Sequence, residues 1–320
     1  MENINKFQSF VILGMVLIGI MIGQISFIQV YSEYIIMPAL MIMLFLVFIQ
    51  IPIKDIAKSF KNKKFTLSAI FINFIWTPIL IAILGKIFLG NNPELLIGFI
   101  MLMVTPCTDW YLIFTGIAKG NVALGTSILP LNLTLQLLLL PAYVFLIGGT
   151  SVELDAMNLL QGVLFSLAIP LTASLFYRNF IIKNKGLNFL EDKIVPQSCD
   201  YQGYFLNIAI VAMFASQGKI LLRNPQVLLL LLLPVLLFFI INLIVGQIVG
   251  RKLELSKEDN VALNFTTLAR NSPIALAIAV ATFPNKPLIS LALIIGPLIE
   301  LPVLFIDSKV LLSTNKEARL

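Results

Sequence analysis

The 320-residue chain contains no histidine and few charged residues. Aspartate, glutamate, lysine and arginine make up 12% of it, whereas about a quarter is usual in soluble globular domains. The lack of histidine excludes imidazole metal sites, histidine proton relays and serine–histidine triads. Hydrophobic residues make up 59% of the chain, and the mean hydropathy is +0.98. This composition predicts an integral membrane protein.

Cysteine is also scarce, with Cys107 inside an apolar run and Cys199 at the end of a loop. Two cysteines in such different segments give no support for a disulfide framework. The net charge of +6 could suggest a nucleic-acid binder. However, the basic residues lie in loops between apolar runs, where membrane topology explains them. We therefore expect no nucleic-acid partner.

Apolar runs of about 20 residues predict ten membrane-spanning helices. The first run, Phe7–Val30, is too long for the apolar region of a signal peptide and precedes no cleavage signature, so we interpret it as a span. Most of the 22 basic residues fall on one side, including the cluster from Lys54 to Lys64. This bias predicts a multi-pass protein of the plasma (inner) membrane with both termini in the cytoplasm. The predicted spans are 7–30, 34–52, 65–89, 94–118, 121–148, 155–177, 200–217, 225–250, 258–283 and 285–308.

The two halves of the chain show a weak internal repeat. Shifting the sequence by 164 residues places GNVALGTSIL on PNKPLISLAL, Gln136 on Glu300 and Cys107 on Asn271. An odd number of spans in each half would invert one half relative to the other in the membrane. The predicted fold is therefore all-α, with ten transmembrane helices in two inverted five-helix repeats. The predicted repeats are residues 1–150 and 151–320.

Prolines interrupt two of the predicted spans. Pro106 lies within VTPCTDWYL in the fourth span, and Pro273 lies within LARNSPIAL in the ninth. Each proline removes a backbone donor and clashes with the preceding turn. A lone proline often kinks a membrane helix without any function, but paired interruptions in the two halves indicate a transporter binding site. We predict that the broken fourth and ninth helices cross.

The residues at the two breaks are the candidates for substrate binding and coupling. Half-helix ends offer free N–H and C=O groups to a substrate beside these side chains. Arg270 and Asp109 lie on different breaks and are predicted to pair, either as a structural link between the helices or as part of the coupling machinery. The candidate substrate-binding residues are Cys107, Thr108, Asn271, Ser272 and Glu300.

Glu300 is the candidate coupling carboxylate. It lies in IIGPLIELPVL with no basic residue nearby in sequence, and burial favours the uncharged form of a carboxyl group, which suits it to carry a proton. Alternatively, it is a hydrogen-bonded structural carboxyl. Gln136, one turn after Asn132, is a second coupling candidate. Asn73, Thr77 and Asn132 could line the same cavity or simply bond across helices.

Three segments together resemble the arsenite efflux permeases of the bile acid:sodium symporter superfamily. They are the Pro-Cys pair in the broken fourth span, the following AKGNVALG, and FTTLARNSPIALAIAVATFP leading to GPLIELPV. The resemblance implies a panel domain from helices 1, 2, 6 and 7 and a core domain from helices 3–5 and 8–10. It also implies that the family's thiol falls on Cys107 and its tenth-span glutamate on Glu300. The ninth span differs, because Arg270 to Pro273 replace adjacent asparagines followed by an acid.

The resemblance implies a secondary active transporter that exports arsenite, or a related small metalloid oxyacid, by proton antiport. Trivalent arsenic is thiophilic, and a thiolate is the form of cysteine that binds soft centres. A half-helix N-terminus would favour the thiolate of Cys107. A single thiol gives a labile contact, which a transporter needs for release.

A sodium-coupled symporter of an organic anion is the alternative function. Sodium is a hard cation that binds oxygen atoms, and Thr266–Ser272 contains no acid. Arg270 in that stretch would repel a cation, although it would suit an anionic substrate. The sequence contains no recognisable pair of catalytic carboxylates, metal cluster or nucleophile with its base. We therefore expect no enzyme activity, metal or cofactor, and expect a small solute, a coupling proton and the lipid bilayer as partners.

Overall fold

The computed structural model describes residues 11, 14–50, 61–108, 110–148, 156–223 and 225–317. These residues form helices and connecting turns without any strand, and one isolated β-bridge pairs Pro106 with Arg270. The predicted all-α class is therefore confirmed for the described part of the chain. The helices are α1 (Ser26–Gln50), α2 (Lys63–Leu89), α3 (Pro93–Met103), α4 (Trp110–Ile117), α5 (Val122–Gly148), α6 (Ala156–Lys185), α7 (Val195–Arg223), α8 (Gln226–Lys252), α9 (Lys257–Leu268), α10 (Ser272–Thr282) and α11 (Pro287–Glu317). Residues 14–22 are also helical, and Leu187–Phe189 and the π-helical Leu190–Ile194 lead into α7.

Five of the described helices are long and apolar enough to cross a bilayer: α1, α2, α5, α8 and the part of α11 that comprises Pro287–Leu312. Their large exposed apolar side chains, such as Leu138 and Leu229, suit contact with lipid. The multi-pass membrane class is confirmed at this level. The sixth and seventh predicted spans fall on α6 and α7, which are not among the five, and the first lies partly outside the described residues. The count of ten and the inverted repeats stay predictions.

The predicted interruptions of the fourth and ninth spans are present as helix ends. α3 ends at Met103, and α4 begins only at Trp110. α9 ends at Leu268, and α10 begins at Ser272, which places Pro273 in its first turn. Proline is tolerated there because the first N–H groups of a helix have no intrahelical partner.

A π-helical turn, Ile72–Trp76, interrupts α2 just before Pro78. The carbonyl of Phe74 would normally accept from the N–H of residue 78, but Pro78 has none. The hydroxyl of Tyr143 donates to this carbonyl instead, at 2.6 Å. The turn contains Asn73, whose side chain is fully buried. Such π turns occur frequently at functional sites.

The contacts divide the chain into two compact units. The first comprises Met1–Ile51, Asp155–Pro225 and Leu276–Leu291. In this unit α1 packs mainly against α7 and also against α6. The amide of Gln50 donates to Gln202 Oε1 at 2.8 Å, which links α1 to α7.

The second unit comprises Pro52–Leu154, Gln226–Ala275 and Ala292–Leu320. Its core joins α2, α5 and α9, and both broken segments lie within it. The side chain of Ser256 caps α9 by accepting from the N–H of Asp259 at 3.1 Å, and Asn62 caps α2 in the same way from Phe65 at 3.2 Å. The buried residues of the core are Phe65, Ala69, Ile72, Ile128, Leu131, Ala262 and Leu263.

Candidate functional site

The two helix breaks lie side by side in the second unit and are joined through their backbones. The N–H of Cys107 donates to the carbonyl of Ala269 at 3.0 Å, and the N–H of Asn271 donates to the carbonyl of Thr105 at 2.6 Å. These two bonds form the antiparallel bridge between Pro106 and Arg270. The two breaks therefore lie in contact, and each satisfies backbone groups of the other. The predicted crossing of the two helices stays a prediction.

The last four carbonyls of α3 lie where the helix ends, so backbone N–H groups of a further turn cannot satisfy all of them. The carbonyl of Ile100 accepts from the N–H of Val104 at 3.0 Å. The hydroxyl of Thr105 reaches those of Met101 and Leu102, at 2.9 and 3.0 Å. This side chain replaces the N–H that Pro106 lacks. The fourth carbonyl, that of Met103, accepts from Arg270 Nη1 at 2.9 Å.

The carbonyl groups at the end of α9 also accept hydrogen bonds from side chains, one from α2 and one that lies just after α9. The carbonyl of Thr266 accepts from Asn73 Nδ2 at 3.1 Å. The carbonyl of Thr267 accepts from Arg270 Nη2, and that of Leu268 accepts from Arg270 Nε at 3.0 Å. The guanidinium of Arg270 therefore caps the C-terminal ends of both half-helices.

Arg270 is almost completely buried, with 1% of its surface exposed. Its Nη2 also donates to Asn73 Oδ1 at 3.2 Å, and its guanidinium carbon lies 4.9 Å from the centre of the Phe238 ring. The backbone N–H of Arg270 donates to Glu300 Oε1 at 2.8 Å. The sequence predicted Asp109 as the partner of Arg270, but Asp109 lies outside the described residues.

Cys107 and Asn271 occupy equivalent places at the two breaks. The sulfur of Cys107 accepts from the backbone N–H of Trp110 at 3.2 Å, at the start of α4. Asn271 Oδ1 accepts from the backbone N–H of Ile274 at 3.2 Å, at the start of α10. Both side chains are buried and cap the helix that follows the break. Asn271 Nδ2 also contacts Thr108 Oγ1 at 3.4 Å, so three of the predicted substrate-binding residues lie together.

Glu300 on α11 and Ser272 at the start of α10 connect α11 to the ninth-span break. Pro297 lies within α11 and leaves the carbonyl of Leu293 without its usual donor. The hydroxyl of Ser272 donates to this carbonyl. Glu300, less than one turn beyond Pro297 and 3% exposed, reaches the N–H of Arg270. The motif GPLIE thus leaves the carbonyl of Leu293 free to accept from Ser272, through Pro297, and provides the carboxylate of Glu300 for the ninth-span break.

The predicted cavity-lining residues form a buried polar network with α9. Asn73 bonds Thr266 and Arg270, as described above. Asn132 Nδ2 donates to Thr266 Oγ1 at 3.2 Å, and Thr77 Oγ1 accepts from Asn242 Nδ2 at 3.2 Å. Asn73, Thr77 and Asn132 thus bond across helices, and their lining of a cavity stays a prediction.

Gln136 is the exception among the predicted polar residues. It is 1% exposed, and neither its amide oxygen nor its amide nitrogen has a hydrogen-bond partner among the described residues. Asn132 Oδ1, one turn earlier on α5, also has none there. The structure therefore places Gln136 beside Asn132 but does not link it to Arg270 or Glu300.

Several residues at the site were not predicted. Thr105, Thr266 and Thr267 directly precede the two breaks, and Phe238 and Asn242 come from α8. Asn242 could have been found, because it is the lone polar residue in the run LLFFIINLIV. Met103 and Leu268 act through their main-chain carbonyls, which have no signature in the sequence.

Comparison with known proteins agrees with this architecture. The sequence model of the Sodium Bile acid symporter family matches residues 37–224, more than half of the chain. An arsenical-resistance protein (Acr3) of Corynebacterium glutamicum is 26% identical over 247 residues, which are 74% of this chain and 66% of that protein. The corresponding protein of Alkaliphilus metalliredigens is 26% identical over 216 residues, 66% of this chain and 59% of the relative. An uncharacterized transporter of Synechocystis sp. is 25% identical over 239 residues, 73% and 62% of the two chains. The chain therefore spans less than two thirds of each of these relatives.

These matches confirm the resemblance predicted from the residues around the two breaks. The family and its arsenical-resistance members are transporters rather than enzymes, as the sequence also predicts. The described residues contain no cluster of histidine, cysteine, aspartate or glutamate that could hold a metal ion. Because the family model covers more than half of its length, the chain belongs to the Sodium Bile acid symporter family.

Proposed function

We propose that the chain is a secondary active transporter that exports arsenite, or a related small metalloid oxyacid, in exchange for protons. The observation that carries this proposal is the position of Cys107. Its sulfur is buried at a helix break, where it accepts from the N–H of Trp110 at the start of α4. A half-helix N-terminus favours the thiolate, which is the form that binds soft centres. The arsenical-resistance proteins among the relatives support the choice of substrate.

The proposed binding step is a reversible condensation. The sulfur of Cys107 forms a bond to the arsenic of arsenous acid as one As–O bond breaks. The departing hydroxide takes up the proton that the thiol released on ionisation and leaves as water. The arsenic stays trivalent, so no oxidant or reductant is needed. Thr108 and Asn271, which contact each other at 3.4 Å, provide hydrogen-bonding groups for the remaining hydroxyls. The hydroxyl of Ser272 already donates to Leu293, so it offers the substrate only its lone pairs. Water reverses the condensation when the substrate is released.

In this proposal Glu300 exchanges the coupling proton. Glu300 and Cys107 bond adjacent residues of the segment between α9 and α10. The backbone N–H of Cys107 donates to the carbonyl of Ala269, and Glu300 accepts from the N–H of Arg270. A change in the charge of Glu300 would therefore be felt next to the proposed thiol site. Gln136, with both amide atoms unpartnered among the described residues, is proposed as a polar neighbour in coupling.

We also propose the finer architecture that the resemblance implies. The chain would form ten spans in two inverted repeats, in the plasma membrane, with cytoplasmic termini. The matching caps of Cys107 and Asn271, which the 164-residue shift aligns, support the repeat. The unit that contains Met1–Ile51 and Asp155–Pro225 would be the panel domain and the unit with both breaks the core domain. The first unit also contains Leu276–Leu291, which the resemblance assigns to the core.

The alternative, a sodium-coupled symporter of an organic anion, is supported by the family's name and by the buried Arg270. An arginine side chain has five N–H donors. Four of those of Arg270 already donate to Leu268, Met103, Asn73 and Thr267. At most one is left for an anionic substrate, so the arginine is a poor anion receptor here.

The test of the thiol role is arsenite protection against alkylation. In the Cys199→Ser protein, Cys107 is the only thiol, and arsenite should slow its reaction with a maleimide in inverted membrane vesicles. The same vesicles should take up arsenite, and Cys107→Ser should abolish this uptake while Cys199→Ser, the matched control, leaves it intact. Uptake that survives Cys107→Ser would contradict the proposal.

A further inference from the structure

Among the described residues, the guanidinium of Arg270 lies in a cluster of carbonyl and amide oxygen atoms. Its N–H groups donate to the carbonyls of Met103, Thr267 and Leu268 and to the amide oxygen of Asn73. The three carbonyls belong to the C-terminal ends of two half-helices, α3 and α9. These ends carry the negative partial charge of the helix dipole, so the cluster suits a cation.

Such a set of atoms is the kind that binds a coupling cation in transporters with broken helices. Unwound carbonyls and half-helix C-terminal ends coordinate sodium or protons in these proteins. Hard cations also prefer carbonyl and carboxylate oxygens. The carboxylate of Glu300, which accepts from the backbone N–H of Arg270, adds an acidic oxygen next to the cluster.

We infer that the guanidinium of Arg270 is a built-in cation that takes the place of a coupling sodium ion where the two helix breaks meet. The planar fork of an arginine presents five N–H donors and so matches several carbonyl oxygens at once. Because the group is covalently attached, it cannot be carried across the membrane or exchange with an ion in solution. A sodium ion therefore does not fit this site in the chain, although the family is named for sodium symport.

A simpler explanation is that Arg270 only braces the two breaks. Both explanations predict that loss of the Arg270 side chain destabilises the protein, but they differ in what restores the lost stability. If the cluster is a cation site, removal of the side chain leaves oxygens that a small cation can occupy. A bracing role alone would not be replaced by a free ion.

The experiment measures sodium binding to purified protein, so it does not depend on which substrate is transported. Wild-type protein should bind no radioactive sodium in a competition assay, and its melting temperature in detergent should be equal in sodium and choline chloride. Arg270→Gln should bind sodium, and sodium in place of choline should raise its melting temperature by roughly 5 °C. Arg251→Gln, an exposed arginine at the end of α8, is the matched control and should resemble the wild type.

A second readout supplies the guanidinium group as a free ion in solution. Millimolar guanidinium chloride should raise the melting temperature of Arg270→Ala but not that of the wild type. Sodium binding to wild-type protein would overturn the inference even if neither variant could be purified. It would also be overturned if the folded variants responded to neither sodium nor guanidinium.

Discussion

Arg270 Nη1 donates to the carbonyl oxygen of Met103 at 2.9 Å, so a residue that follows the end of one half-helix caps the end of another. The same guanidinium caps the helix that precedes it, through Thr267 and Leu268. The two breaks are therefore not independent kinks. They form one buried unit in which the polar groups freed by one interruption are used by the other.

Asn73 is expected to be important for this unit, because it bonds both Arg270 and the carbonyl of Thr266. Asn73→Ala leaves a buried carbonyl without its donor and removes one acceptor from a buried cation. The expected cost is about 1–3 kcal/mol of stability. Thermal unfolding in detergent measures it, with the exposed Asn184→Ala as a control that should have little effect. A cost no greater than that of the control would argue against this bridging role.

Ser272 and Pro297 make a second prediction, which takes the form of a double-mutant cycle. Ser272→Ala should destabilise the protein by about 1–3 kcal/mol, because the carbonyl of Leu293 then loses its donor. In a Pro297→Ala background the restored backbone N–H supplies that donor, so the same substitution should cost less. Equal costs in both backgrounds, measured by thermal unfolding, would mean that the hydroxyl does not compensate for the proline.

Gly120 and Gly116 provide a matched pair near the end of α4. A Cβ at Gly120 would lie 2.5 Å from Val261 Cγ1, whereas at Gly116 the nearest heavy atom is 3.7 Å away. Gly120→Ala should therefore cost about 1–3 kcal/mol through overpacking. Gly116 lies within α4, so Gly116→Ala should leave the stability of the protein unchanged or raise it slightly. The reverse order of melting temperatures would contradict this packing of α4 against α9.

Glu300→Gln should separate coupling from binding. The amide keeps an oxygen for the N–H of Arg270 but cannot exchange a proton, so the fold should be retained. Accumulation driven by a pH gradient should fall to background, while exchange of arsenite for arsenite at equilibrium should continue. Asp307→Asn replaces another buried acid of α11 and is the control, with accumulation intact. Normal accumulation by Glu300→Gln would remove this carboxylate from the coupling mechanism.

The sequence predicts much of this arrangement because backbone chemistry limits what a membrane helix can do. Pro106 and Pro273 each lack an N–H, and both do lie where a helix is interrupted. Polar residues near a break must be buried in protein or face water, which is why Asn73 and Asn132 could be assigned to the interior. These inferences need only residue types and spacing.

The partners of Arg270 could not be predicted in the same way. Charge alone suggested Asp109, because a search for opposite charges considers side chains only. Among the described residues the guanidinium donates to Asn73 and to main-chain carbonyls, which every residue carries. Which carbonyls it reaches depends on where two distant helices end. The contribution of Phe238 and Asn242 depends on which face of α8 packs against the breaks. A helix that is apolar on nearly every face does not show this in its sequence.

The most direct test of arsenite/proton antiport is accumulation of arsenite by inverted vesicles with an acidic interior, in buffers in which choline replaces sodium. The account predicts accumulation that needs the pH gradient, is unchanged by sodium and is abolished by Cys107→Ser. Folded wild-type protein that fails to accumulate arsenite, or does so only with sodium, would contradict it.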